Sequence, residues 1–333
     1  MRRTRRMRRG AGALMAVGAL LGLALQTTPA SADSGGAPPA SPASQTVSES
    51  AQARAAGVWT ADRMRAAAPV EDLLDLGARA VQRAGQAVPR GEESTIPPLG
   101  SQGGAKALPE AGGPWSGGGD VEKTTGRVFF KMGDRDASCS GDAVTSDNGS
   151  TVITAGHCVK YQGAWHTDWV FVPGYHDGEA PHGKWAAAKT LTTPQWEADE
   201  DMNFDVGAAV VDPLDGKKLT DVVGGQGLSF NADYNTEMYS FGFPAADPYD
   251  GEKLIYCSGT TFQDVLLTKD HGLSCNMTGG SSGGPWFTEF DEKTGKGLQS
   301  SVNSFGYTFL PDTMFGPYFG EDAKTLYETA QAG

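Results

Sequence analysis

From about Asp120 onward the chain is a succession of short runs rich in Val, Ile, Thr and aromatic residues, separated by Gly, Asp, Asn and Pro. Examples are Arg127–Met132, Ala143–Ser146, Thr151–Ala155, Trp169–Val172, Val206–Val211, Met238–Phe243, Lys253–Cys257 and Ser300–Phe305. Such spacing predicts an all-β sandwich or barrel. The 214 residues from 120 to 333 suffice for two small barrels of about 100 residues each. Only Asp322–Ala332 reads as helix, a terminal cap.

The residues ahead of this domain are of other kinds. Residues 1–32 begin with six arginines and no acid, continue with an apolar run from Ala11 to about Leu25, and end in Ala30-Ser31-Ala32. That is the pattern of a signal peptide cleaved after Ala32, and the apolar run is shorter than the roughly 20 residues a membrane span needs. Secretion is therefore expected, without stable membrane association. Ser, Ala and Pro dominate 33–55, and Gly, Pro and Ser dominate 86–119, which is linker chemistry. Between them Val58 to Ala84, with Val70-Glu71-Asp72-Leu73-Leu74, suits a short amphipathic helix. Residues 33–119 read as a propeptide and linker, with 120–333 the functional domain.

Charge excludes one class of partner. Without its leader the chain keeps 21 of its 27 basic residues against 40 acidic ones, a net charge of −19. The segment from Asp120 holds 14 basic and 31 acidic residues, or −17. A nucleic-acid partner needs a basic surface that displaces counterions from phosphates, and this domain repels phosphates.

Asn148-Gly149 between two of the runs suits a two-residue type I′ hairpin turn, which pairs residues whose numbers sum to 297. Cys139 and Cys158 satisfy that sum and would face each other as a hydrogen-bonded pair, a separation a disulfide permits. This choice leaves Cys257 with Cys275. Zinc is the other use of four cysteines, but the chain has no Cys-x-x-Cys pair, and an exported protein meets an oxidising compartment.

Gly279-Gly280-Ser281-Ser282-Gly283-Gly284-Pro285 can turn tightly and leave adjacent N–H groups aimed at one spot. That suits a nucleophile, Ser282, with an oxyanion hole made by the N–H groups of Gly280 and Ser282. A serine hydroxyl needs a base. Of five histidines, His157 ends a strand in Thr154-Ala155-Gly156-His157-Cys158, where the disulfide would pin it. His166, His176, His182 and His271 lie in turn-rich sequence and read as surface residues, and the spacings of 10 and 6 among the first three match no metal motif. Asp205, at the head of the apolar run 205–211, is the acid that needs a partner, and it would orient the imidazole. Glu197, Asp199, Glu200 and Asp201 form a polar run expected to face water.

TAGHC (154–158), DVGAAVV (205–211) and GGSSGGP (279–285), in this order, resemble the chymotrypsin-fold serine peptidases. Val170-Phe171-Val172-Pro173-Gly174-Tyr175 makes the chain most similar to the bacterial branch that includes the V8-like glutamyl endopeptidases. The resemblance, over roughly 120–320, implies two antiparallel six-stranded β-barrels with the active site in the cleft between them. It implies endopeptidase activity on proteins or peptides through His157, Asp205 and Ser282, and no cofactor. It also implies that Ser304-Phe305-Gly306 pairs with substrate backbone beside the specificity pocket, that Asn276 lies at the pocket base, and that Asn303 stands where the glutamyl branch has a carboxylate-binding histidine. Ser281 replaces the aspartate that receives the new N-terminus in animal trypsin-like enzymes, so activation by that ion pair is excluded. Asn276, Met277 and Phe305 together predict preference for uncharged, small or medium apolar side chains before the scissile bond. The same residues also suit an esterase, or a secreted binding protein that has lost catalysis.

Overall fold

The structure is a computed structural model and describes residues 40–74, 88–100 and 110–333. The signal-peptide reading of 1–32, and the last residues of the helix expected up to Ala84, lie outside these.

The segment ahead of the barrels forms β1 (Ala43–Thr46), β2 (Ala68–Pro69), β3 (Ser94–Ile96) and β4 (Glu110–Pro114). The first barrel follows as β5 (Thr125–Met132), β6 (Arg135–Ala143) and β7 (Thr151–Thr154), a small hairpin of β8 (Lys160–Tyr161) with β9 (Ala164–Trp165), then β10 (Thr167–Pro173), β11 (Trp185–Thr192) and β12 (Gly207–Val211). Ladders run β11-β10-β5-β6-β7-β12, and pairing of β11 with β12 closes the ring. Its inside is filled by Val128, Phe130, Ala137, Val152, Phe171 and Leu191.

The second half comprises β13 (Gly227–Phe230), β14 (Glu237–Gly242), β15 (Ile255–Thr260), β16 (Phe262–Gln263), β17 (His271–Ser274), β18 (Pro285–Asp291), β19 (Lys296–Val302) and β20 (Thr313–Gly316). Here the expected six-stranded antiparallel ring is not drawn by ladders. The order β13-β19-β18-β14-β15 is one sheet, β16-β17-β20 is another, and β13 runs parallel to β19. Trp286, Met238, Ile255, Leu273 and the second disulfide pack between them. The C-terminal helix spans Glu321–Gln331 and sets Leu326 and Tyr327 into the first core.

The described residues of 33–119 form regular structure within the stretches read as linker from their composition. Helices Glu49–Val58 and Ala61–Ala66 lie before β2, each opened by a hydroxyl cap from Ser48 or Thr60. Trp59, between them, is fully buried among Phe129, Val170, Val172 and Tyr175 on the outer face of the first barrel. β1 pairs with β11 beyond the residues that β10 covers, β3 pairs with β13, and β4 pairs with β15. Val70–Leu73 is a single 3₁₀ turn, not part of a longer amphipathic helix.

The hairpin register also differs from expectation. Asp142 faces Ile153 and Ala143 faces Val152, two residues away from the predicted pairing. Gly149 takes a positive φ of 66° but Asn148 does not, so the turn is not type I′. It is instead a turn from Ser146 to Gly149, whose N–H donates to the Ser146 carbonyl at 3.0 Å. Cys139 and Cys158 are bonded all the same, with Cα atoms 6.2 Å apart, because the chain leaves the ladder in a 3₁₀ turn at Gly156–Cys158. Cys257 is bonded to Cys275. No helix among the described residues is long and apolar enough to cross a membrane.

Candidate active site

His157 lies in the 3₁₀ turn after β7 and is fully buried. The Cys139–Cys158 bond ties that turn to β6. His166 is not a surface residue: it stacks on Phe130 with ring centres 4.3 Å apart and its Nε2–H donates to the His157 carbonyl at 2.9 Å. Burial lowers its pKa to about 4, so it is a neutral strut at neutral pH. His271 is likewise buried, against Tyr234 and Tyr318.

Asp205 sits between the 3₁₀ turn Met202–Phe204 and β12. Two hydroxyls clamp its neighbours, Thr193 donating to the Phe204 carbonyl at 2.6 Å and Thr192 to that of Val206 at 2.9 Å. Asp201 does not face water; it is buried and caps the turn by accepting from the Asn203 N–H at 3.1 Å. The Asp205 carboxylate thus points at the histidine. Its Oδ1 accepts from the His157 N–H at 2.8 Å, and its Oδ2 from His157 Nδ1–H at 2.7 Å and from the Ser304 hydroxyl at 2.5 Å. Burial works to lower the His157 pKa, but the Asp205 charge and hydrogen bond, with the Glu71 charge added, outweigh it and hold the imidazole above its ordinary value.

Ser282 lies in the loop before β18. Two glycines make that loop possible. Gly280 has φ of +93° and a Cβ there would meet the Phe243 carbonyl at 2.9 Å; at Gly283, φ +81°, it would meet Thr154 Oγ1 at 2.1 Å and the Ser140 carbonyl at 2.4 Å. Ser140 fastens the loop to the first barrel. Its N–H donates to the Ser282 carbonyl at 2.7 Å and its hydroxyl to the Gly280 carbonyl at 3.0 Å, while it accepts from the Phe243 N–H at 2.9 Å. Nothing in the Ser140 sequence context suggested this task, since the bonds cross from one barrel to the other.

The Ser282 hydroxyl donates to Glu71 Oε1, and the Gly280 N–H donates to Glu71 Oε2 at 2.7 Å. The His157 Nε2 is buried and has no hydrogen-bond partner among the described residues.

A cleft of about 340 Å³ opens beside Ser282, lined by Asn276, Met277, Thr278, Ser304–Gly306 and Met314, together with Glu71. The Asn276 Oδ1 accepts from the Tyr249 hydroxyl at 2.6 Å. Asn303 is not in this lining. Its Oδ1 accepts from Ser240 at 2.7 Å and Trp286 at 2.6 Å, and its Nδ2 donates to the carbonyls of Phe241 at 2.9 Å and Ser281 at 3.1 Å. The substrate-contacting role expected for that position is therefore closed to its side chain. Among the described residues the lining has no cationic side chain, and Asp312 stands at its exposed rim. The one cluster of metal-ligating atoms among the described residues, Cys139 with His157 and Cys158, is spent on a disulfide.

Solved structures match this fold. The chain is 46% identical to the protease Anisep from Arthrobacter nicotinovorans, over 63% of this chain and 96% of that one, with a TM-score of 0.60. It is 40% identical to the thermostable serine protease AL20 from an extremophilic microorganism, over 64% of this chain and 99% of that one, at 0.60. A Glu endopeptidase shares the fold at 15% identity and a TM-score of 0.54, covering 67% of this chain and 98% of that one. No protein-family model and no curated protein matches the chain. The chain belongs to the chymotrypsin-fold serine peptidases. By class it is a serine endopeptidase.

Proposed function

We propose that the chain is the precursor of a secreted serine endopeptidase, with 1–32 a signal peptide, 33–119 a propeptide and 120–333 the catalytic domain. Ser282 attacks the scissile carbonyl, His157 accepts its proton and returns it to the leaving amine, and Asp205 holds the imidazole tautomer and stabilises the imidazolium. The tetrahedral oxyanion is received by the N–H groups of Gly280 and Ser282, and one such donor contributes about 3 kcal/mol to catalysis. The acyl-enzyme on Ser282 is then hydrolysed by the same steps in reverse order, with water in place of the amine.

The observation that carries this proposal is the convergence of the Gly280 N–H and the Ser282 hydroxyl on one carboxylate, beside an imidazole that Asp205 already orients. Groups that converge on an anion are what a developing oxyanion requires. The two disulfides agree with an exported protein. A lining of Asn276, Met277, Thr278 and Met314 supports uncharged, small or medium apolar side chains before the scissile bond: a carboxylate would meet no cationic partner there, and the acid nearest for a cation after removal of Glu71, Asp312, is exposed to water.

Treatment of the processed protein with a fluorophosphonate should leave one adduct, on Ser282. Turnover of peptides as well as esters identifies a peptidase. A folded protein that takes no label would be a silent binding protein, and ester turnover without peptide turnover would make it an esterase.

A further inference from the structure

We infer that the Glu71 side chain is the plug that keeps the uncleaved chain inactive, its carboxylate filling the oxyanion site and drawing the nucleophile's hydroxyl away from its base. The inference rests on the peptidase reading above and names how the segment ahead of the barrels regulates that site.

The contacts leave no room for catalysis. Glu71 Oε2 takes the Gly280 N–H at 2.7 Å, the donor an oxyanion would need. Glu71 Oε1 takes the single proton of the Ser282 hydroxyl, so that proton is not shared with His157 Nε2, which is left without a partner among the described residues. The group in the hole is itself inert. A carboxylate carbon is a poor electrophile, because attack on it by an alkoxide would build a dianion, so the plug is not consumed.

Glu71 is also delivered from both sides. Upstream, β2 pairs with β6 in parallel, Ala68 opposite Ala137 and Pro69 opposite Ser138, and the Ser138 hydroxyl donates to the Ala68 carbonyl at 3.3 Å. Further upstream, Arg63 grips Asp136 with bonds of 2.5 and 2.6 Å, and the Trp59 indole N–H donates to the Asp168 carbonyl at 2.7 Å. At the turn itself, a Cβ on Gly279 would come within 3.1 Å of both Pro69 Cβ and Glu71 Oε2, so this residue's lack of a side chain admits the segment. Downstream, Leu74 packs on the cluster of Trp196, Phe305 and Tyr307. One carboxylate in free solution would bind such a site weakly. Tethered between these anchors it acts at high effective concentration, which cutting the segment away removes.

The test follows fluorophosphonate labelling of Ser282 in the intact full-length chain, with chain length checked by mass at each time point. Wild type, Glu71→Ala and Glu71→Gln are compared with the wild-type chain after proteolytic removal of the segment, and thermal unfolding confirms that each variant is folded. Wild type should label slowly and the processed chain fast. Intact Glu71→Ala should label about tenfold faster than wild type or more, as expected for losing hydrogen bonds to a charged group. Glu71→Gln should fall between, since its amide oxygen still accepts from Gly280 but its nitrogen cannot accept the serine proton. Intact Glu71→Ala labelling as slowly as wild type, with the processed chain fast, would overturn the plug and leave the peptidase standing, the segment then blocking by bulk alone. Intact wild type labelling as fast as the processed chain would also overturn it. Folded but unlabelled protein in every form would overturn the plug and the peptidase reading together.

Discussion

Asn303 spends its whole amide inside the second barrel, on Ser240, Trp286 and two carbonyls. Asn303→Ala should therefore lower the unfolding midpoint, because each buried group left unpaired costs about 1–3 kcal/mol. Asn303→His should not create glutamate cleavage, since the side chain does not reach the cleft. A peptide-library profile of that variant dominated by Glu would contradict this placement. His157 governs a second prediction at this scale. Its pKa is raised, so the inactive imidazolium persists to higher pH, and activity should climb as pH rises through a midpoint above the ordinary histidine value of about 6.5. Burial opposes this shift; once the segment carrying Glu71 is cut away, the Asp205 charge and hydrogen bond are what work to raise the pKa. A kcat/KM profile with its acid limb near about pH 5 would contradict it. His157, Asp205 and Ser282 could be singled out from the sequence because each sits in a local motif. Ser140 and Glu71, and the bond of Ser304 to Asp205, could not be, because the partners lie in distant parts of the chain and a polar residue carries no local signature of such bonds.

At the scale of elements, the Cys139–Cys158 bond matters more than its loop length suggests, because it fixes the 3₁₀ turn that carries His157. Reduction should lower thermal stability, each bridge contributing about 3 kcal/mol in the chain-entropy model, and activity should fall before global unfolding as the turn loosens. Activity and circular dichroism followed together through a reductant titration would check the order of events. Trp59 is the corresponding anchor of the segment ahead of the barrels. Trp59→Ala in the full chain should speed protease cleavage within 40–74 while the barrels keep their unfolding midpoint. Equal cleavage rates would show that the anchor lies elsewhere. The pairing Cys139–Cys158 was predicted correctly from a register that was wrong by two residues, since the chain leaves the ladder before Cys158. The segment's structure escaped prediction for a different reason. Its own apolar content is low, and it folds by borrowing Phe129, Val170 and Val172 from a barrel face that would otherwise meet water.

Across the whole molecule, the first barrel brings His157 and Asp205, the second brings Ser282, and Ser140 and Ser304 bond across the seam. The β class and the order of the three motifs along the chain were readable because short β-rich runs and turn residues recur throughout. How the second half divides its strands was not, because β13 pairs in parallel with a distant strand and β16-β17-β20 form their own sheet, choices made by packing and not by local pattern. The central claim is that this assembly makes Ser282, and not its neighbour, the nucleophile. The Ser281 hydroxyl is engaged locally, donating to the Thr278 carbonyl at 2.8 Å. The direct measurement is peptide turnover by processed wild type, Ser281→Ala and Ser282→Ala, each checked for folding. Ser281→Ala should retain most of the kcat/KM, and Ser282→Ala should lose a factor of about 10⁴ or more. An active Ser282→Ala beside an inactive Ser281→Ala would contradict the account.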